Sequence, residues 1–229
     1  MKALLYKEFR LAVHPICYIF VFLFPLMMLI PSYPLGIGFI YLLSCYPIIF
    51  LGANKGQQSN DLLYSTLLPI RKKDIVKARI FTVLILQAVY MLLMSALWPL
   101  ANFLEQSMLS AAPDSSPHAG LGLDGFVSLL AIGIIGFAIA DLIFFPIYYK
   151  NGKSIVMSTL LTILGFIVYL GVFTLAFPLI PGFEWYNKVL AGSGIGVQFA
   201  ILGGAILLSA ALHLLVYRIS SKRLEQVDF

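Results

Sequence analysis

Residues 54–101 read NKGQQSNDLLYSTLLPIRKKDIVKARIFTVLILQAVYMLLMSALWPLA. The second half, residues 80–101, is an almost unbroken apolar run. At about 1.5 Å per residue it is long enough to cross a hydrocarbon layer about 30 Å thick. Backbone amides in lipid find no water, so such a run reads as a helix. The first half is polar and rich in lysine and arginine. A boundary between water and lipid therefore falls inside this stretch, near residues 71–79.

The same alternation extends over all 229 residues. Further apolar segments occupy residues 16–30, 35–51, 126–148, 154–179 and 195–217. Apolar residues make up 61% of the chain and charged residues 11%. So few charges cannot cover a water-exposed surface, which excludes a soluble globular protein. The net charge of +5 does not indicate nucleic acid, because the basic residues lie between apolar segments rather than on one polar face. With the N-terminus inside, the segments 1–15, 52–79, 149–153 and 218–229 hold every lysine and arginine except Lys188. Glu105, Asp114, Asp124 and Glu184 fall outside. This positive-inside bias predicts an all-α polytopic membrane protein with six transmembrane helices and both termini cytoplasmic. Residues 1–229 form one transmembrane domain in this reading.

Tyr33, Trp98, Trp185 and Tyr186 are expected in an outer aromatic belt, and Tyr18, Tyr148, Tyr149 and Tyr217 in an inner one. Residues 1–14 read as an interfacial helix. Leu5, Phe9 and Val13 share one face, Lys7, Arg10 and His14 another, and Pro15 favours a break before the first membrane helix. The basic start resembles a signal peptide, but no small-residue cleavage pattern follows, so the first apolar segment is expected to be retained. Residues 102–125 read as a flexible outer loop with at most a short helix near 105–109. Cys17 and Cys45 read as small packing residues.

Residues 59–68 are the least loop-like part of the cytoplasmic segments. Ser59 or Asn60 can cap a helix, and Asp61 suits its first turn. Leu62, Leu63, Thr66 and Leu67 form an apolar stripe, and Pro69 ends it. Arg71, Lys72 and Lys73 mark the membrane surface, and Asp74 can cap the next helix. A helix of about two turns is not stable alone and needs a surface to order it, either lipid or a partner protein.

The run from Asp61 through Ser65-Thr66-Leu67-Leu68-Pro69-Ile70-Arg71-Lys72-Lys73-Asp74-Ile75-Val76-Lys77-Ala78-Arg79 resembles bacterial permeases of the type-2 ATP-binding-cassette (ABC) exporter family. The start Met1-Lys2-x-Leu4-Leu5-x-Lys7-Glu8 and the six-helix layout are similar too. Leu68 is an insertion relative to the family pattern. Among these permeases, the exporters of phenol-soluble modulins, which are amphipathic peptides, are closest in size. The resemblance implies that 59–68 is a coupling helix presenting Asn60, Asp61, Leu62, Leu63, Tyr64, Thr66 and Leu67 to a cytoplasmic ABC ATPase subunit. It implies that 1–14 is the connecting helix beside that ATPase. It also implies that ATP and magnesium bind the partner rather than this chain, that a second permease completes a homo- or heterodimer, and that the complex sits in the bacterial cytoplasmic membrane.

The chain carries no complete P-loop. Gly152-Lys153-Ser154 has the tail of one, but Ile147 stands where the first glycine belongs. Gly192-Ser193-Gly194 is not a nucleophile elbow, and no zinc-protease motif occurs. These absences speak against an enzyme. Asp141 is the one acidic residue inside an apolar segment, roughly 10 Å from its inner end. An ionisable group there is a functional candidate. Its alternatives are a structural or gating bond, or an ion pair with Lys150, Lys153 or Arg79. Gln87, Tyr90 and Asn102 are candidates for inter-helix hydrogen bonds, and His213 reads as a packed histidine. Gly192, Gly196, Gly203 and Gly204 suggest close helix packing, within the chain or across a dimer.

The resulting expectation is an exporter permease that moves a hydrophobic or amphipathic substrate by alternating access. The alternative is an ATP-independent secondary transporter or channel, which would need more mid-membrane charge or a repeated half.

Overall fold

The computed structural model describes residues 2–13, 15–29, 71–109, 123–151, 155–172 and 195–226. The second apolar segment, residues 59–68 and Asn60 to Leu67 within them lie outside these residues. In chain order the elements are α1 (Lys2–Lys7), a π-helical turn (Glu8–Ala12), α2 (Pro15–Leu26) closing in a 3-10 turn (Met27–Leu29), α3 (Lys72–Leu109), α4 (Leu123–Asn151), α5 (Ile155–Gly171) and α6 (Ile195–Glu225). No strand occurs among the described residues. Helices α3, α4 and α6 are long and apolar enough to cross a membrane, and α1 with α2 make a fourth crossing if the bent pair counts as one.

The helices overrun the apolar segments. α3 has 38 residues, about 57 Å at the usual rise. It continues through Asn102 to Leu109, so the short helix read near residues 105–109 is the end of α3, because that stretch contains neither proline nor glycine to stop it. At its other end Asp74 is not the cap. The helix starts earlier, the Asp74 amide bonds to the Arg71 carbonyl at 2.8 Å, and the carboxylate sits in the first turn, where the helix dipole favours it. α4 and α6 likewise run on past the apolar segments and end with Lys150, Lys222 and Arg223 in their last turns, the favourable sign for a C-terminus.

Three contacts fix the relative directions. Lys73 Nζ lies 3.2 Å from Glu225 Oε1. Arg223 Nη1 donates to the Pro146 carbonyl at 2.6 Å. Arg79 Nη1 donates to the Tyr148 hydroxyl at 2.9 Å. The start of α3 therefore lies beside the ends of α4 and α6, so α4 and α6 are parallel to each other and antiparallel to α3. Most described cations gather at this one basic end.

α4 is the centre of the bundle, with α6 along one side and α5 on another. The Tyr169 hydroxyl donates to the Ile132 carbonyl at 2.8 Å and sets α5 antiparallel to α4. α3 meets α4 through long side chains. Tyr90 packs edge-on to Phe137, and Trp98 stacks on Phe126. Phe144, Phe145, Tyr148 and Tyr149 continue this aromatic core toward the basic end. Tyr148 and Tyr149 lie at the basic end and are buried in the bundle, because α4 is covered by its neighbours on both sides. Leu160 and Ile167 of α5 and Leu207 and Leu214 of α6 are exposed, the ordinary state of a lipid-facing surface.

Glycines divide the helices the same way. A Cβ at Gly136 would lie 2.8 Å from the Phe166 ring, so its absence lets α5 approach α4. Gly196, Gly203 and Gly204 have nothing within 4 Å of such a Cβ. The small-residue run of α6 therefore does not mediate packing within the described chain, because α6 turns its polar face to α4 instead. Replacing Gly136 with leucine should destabilise the α4–α5 pair by about 1–3 kcal/mol, the usual cost of overpacking. The check is thermal unfolding of the purified protein in detergent.

Candidate functional site: two buried polar nodes

A membrane interior gives an unpaired charge no water, so each buried ionisable group must find its partner in the protein. The described residues solve this problem twice.

The first node lies deep in the bundle. Asp141 of α4 is 1% exposed. Its Oδ2 accepts from Gln87 Nε2 of α3 at 3.0 Å and lies 3.0 Å from His213 Nε2 of α6. His213 Nδ1 lies 2.7 Å from the Ser209 carbonyl, one turn back on the same helix, with Ser209 Oγ at 3.3 Å. Three helices thus converge on one carboxyl oxygen.

The hydrogen count is dictated by these partners. A carbonyl oxygen can only accept, so His213 Nδ1 carries a hydrogen. Nε2 faces a carboxyl oxygen, and a second hydrogen must lie between them. The pair is therefore imidazolium with carboxylate or imidazole with carboxylic acid. Both forms have zero net charge, which is what a lipid-embedded site tolerates. The Gln87 amide must present its nitrogen, since Asp141 offers only an acceptor in the ionised form.

The second node lies at the basic end. Arg79 of α3 is 3% exposed and Glu8 of the π turn 2%. Arg79 Nε donates to Glu8 Oε2 at 3.1 Å, and Nη1 donates to the Tyr148 hydroxyl of α4. The guanidinium carbon also lies 5.9 Å from the centre of the Tyr148 ring. Glu8 is placed by the wide turn, which the Val13 amide closes on the Glu8 carbonyl at 3.0 Å. The Tyr18 hydroxyl of α2 donates to the Phe9 carbonyl in the same turn. The N-terminal segment then bends by 82° into α2.

Among the described side chains of this segment Leu4, Glu8 and Val13 are buried, whereas Leu5 and Phe9 of the expected lipid-facing stripe are half-buried. Leu4 and Glu8, one α turn apart, share the buried face, the π turn brings Val13 onto it five residues further on, and Arg79 holds Glu8 there.

Of the residues selected from the sequence, Gln87 and Asp141 come together in the first node. Asp141 takes His213 rather than Arg79, because Arg79 is held by Glu8. Arg71 and Lys73 are exposed and Lys72 is half-buried at the start of α3. Lys73 reaches Glu225 of α6, an exposed pair that contributes little stability. Asn60, Asp61, Leu62, Leu63, Tyr64, Thr66 and Leu67 lie outside the described residues. Sequence reasoning missed His213 and Glu8 as site residues. In the structure Asp141 and His213 each lie 18 residues from the start of parallel helices, a match that the apolar segments 126–148 and 195–217 did not show.

No group of three or more His, Cys, Asp or Glu residues capable of holding a metal occurs among the described residues. The nodes are neutralised by internal pairing and present no bare ligand set.

The sequence model of a family described as "ABC-2 family transporter protein" matches residues 3–222, which include both nodes. The chain belongs to the ABC-2 transporter family. No curated protein and no solved structure matches it. Members of the ABC-2 permease family are membrane transport subunits without an ATPase site of their own, associated with a cytoplasmic ABC ATPase. In this ABC-2 protein the two nodes join elements at the basic end and deep in the bundle.

Losing one partner of a buried ion pair costs about 3–5 kcal/mol in water-soluble proteins, whereas an average interhelical hydrogen bond in a membrane is worth about 0.6 kcal/mol. At the first node the surviving partner can neutralise itself by exchanging a proton. Asp141→Ala and His213→Ala should therefore each cost about 1–3 kcal/mol, between those limits. The double replacement should cost clearly less than the sum. Unfolding by sodium dodecyl sulfate in mixed micelles measures the cycle.

Proposed function

We propose that this chain is the membrane-spanning permease subunit of an ATP-driven exporter. The observation that carries the reading is the family match over nearly the whole chain. Six spans with both termini cytoplasmic are the layout that the distribution of lysine and arginine supports, and the family resemblance implies a bacterial cytoplasmic membrane. In this orientation the basic end of the bundle faces the cytoplasm. ATP and magnesium bind a separate ATPase subunit. Residues 59–68 form the coupling helix, with Asn60 to Leu67 docked on that subunit and Arg71, Lys72 and Lys73 at the headgroup level.

Two permeases, identical or related, enclose the pathway. The outward stripe of α6 at Gly196, Gly203 and Gly204 offers the close approach that such a contact favours. Closure of the ATPase pair on ATP then moves the helices as rigid bodies between two openings. The cargo is hydrophobic or amphipathic, a class that includes amphipathic peptides, in keeping with the exposed apolar faces of α5 and α6.

An affinity-tagged chain purified from its native membrane should bring an ABC ATPase with it. Changing Leu63 and Leu67 to glutamate together should abolish that co-purification while the permease itself still accumulates in the membrane. Retention of the ATPase by the double variant would remove the coupling assignment.

A further inference from the structure

The Glu8–Arg79–Tyr148 node buries a charge pair at the basic end of the bundle, apart from the Asp141 node. A surface pair at this end, such as Lys73 with Glu225, contributes little and tolerates movement. The buried pair behaves differently, because separating it leaves an uncompensated charge inside the protein. Elements joined by such a pair move together.

Three elements are joined here by one side chain. Arg79 uses Nε for Glu8 of the N-terminal segment and Nη1 for Tyr148 of α4, while its own backbone belongs to α3. Only the planar, forked guanidinium can hold both partners in fixed directions, and lysine cannot. The placement along the helices matters equally. Tyr148 and Asp141 are seven residues apart on α4, hence on the same face and about 10 Å apart. Arg79 and Gln87 are eight residues apart on α3, about 12 Å along its axis. The clamp and the deeper node are thus tied to the same two helices. A displacement of the clamp is a displacement of Gln87 and Asp141 against His213 of α6.

We propose that Glu8, Arg79 and Tyr148 are positioning residues that lock the N-terminal segment, α3 and α4 into one unit, so that motion imposed at the basic end shifts the Gln87–Asp141–His213 node against α6. The inference rests on the ATPase-driven reading given above and names the load path within the permease. Residues 59–68 lie directly before α3, so an ATPase gripping them pulls on the helix that carries Arg79. A contact on residues 1–12 pulls on the same guanidinium through Glu8. Both inputs meet before they reach the middle of the bundle.

The test uses the permease co-purified with its ATPase and placed in lipid nanodiscs. Spin labels are attached at Asn151→Cys on α4 and Glu225→Cys on α6, after Cys17 and Cys45 are changed to serine. Electron–electron distances are recorded without nucleotide and with ATP and vanadate. In the otherwise unaltered protein the distance should change with nucleotide. In Arg79→Lys and Glu8→Gln the ATPase should remain bound and active, and the nucleotide-driven change should be lost. Tyr148→Phe removes one hydroxyl and keeps the ring packing, so it folds even where the charge variants do not, and it should also reduce the change. A full-sized nucleotide-driven change in Tyr148→Phe and in Arg79→Lys, with the ATPase bound, would overturn the clamp and leave the exporter reading standing. Failure of the unaltered chain to bring down any ATPase would overturn both.

Discussion

Everything in this bundle is subordinate to the cost of placing charge in lipid. Among the described acidic residues, Glu8 and Asp141 are almost completely buried. Each is neutralised by a basic partner from a different helix, and each pair is completed by a third polar group from another element. The apolar surfaces of α5 and α6 gain little from contacting one another in a medium as apolar as themselves. The polar pairs therefore decide which helices meet and at what depth.

The two nodes hold the helices in different ways. At the deep node the partners are an acid and a histidine, which share a proton and stay neutral overall. At the basic end the partners are a glutamate and an arginine, and the arginine cannot surrender its proton. The deep node can therefore be rearranged without exposing net charge, whereas the basic node holds firm. Both joints lie on α3 and α4, and the deep one also reaches α6.

α4 meets α3 through the Tyr90–Phe137 and Trp98–Phe126 ring pairs, accepts α5 closely at Gly136, and packs most extensively along α6. α6 contacts α4 along its length but leaves most of its apolar surface outside, including three glycines with open space around them. Its attachments to the bundle include discrete polar contacts: His213 to Asp141, Arg223 to the Pro146 carbonyl, and Glu225 to Lys73. Such contacts are specific in position, whereas van der Waals contact with lipid is not.

The membrane nature of the chain, the helical class and the gathering of cations at one end were written in composition and in the order of apolar and basic segments. That is so because the bilayer imposes a one-dimensional rule: length and hydropathy decide what can lie in it. Asp141 and Gln87 were visible for the same reason, as polar residues inside apolar runs. Their partner was not visible. His213 acquires its role only because α4 and α6 run parallel with matched depth, a fact about three dimensions. In the N-terminal segment Leu4 and Glu8 face the bundle rather than Leu5 and Phe9, because Glu8 pairs with Arg79. Tertiary structure alone decided that Arg79, drawn from a basic run that reads as a surface anchor, would turn inward to meet Glu8, because a buried acid and a buried base are tolerable only together.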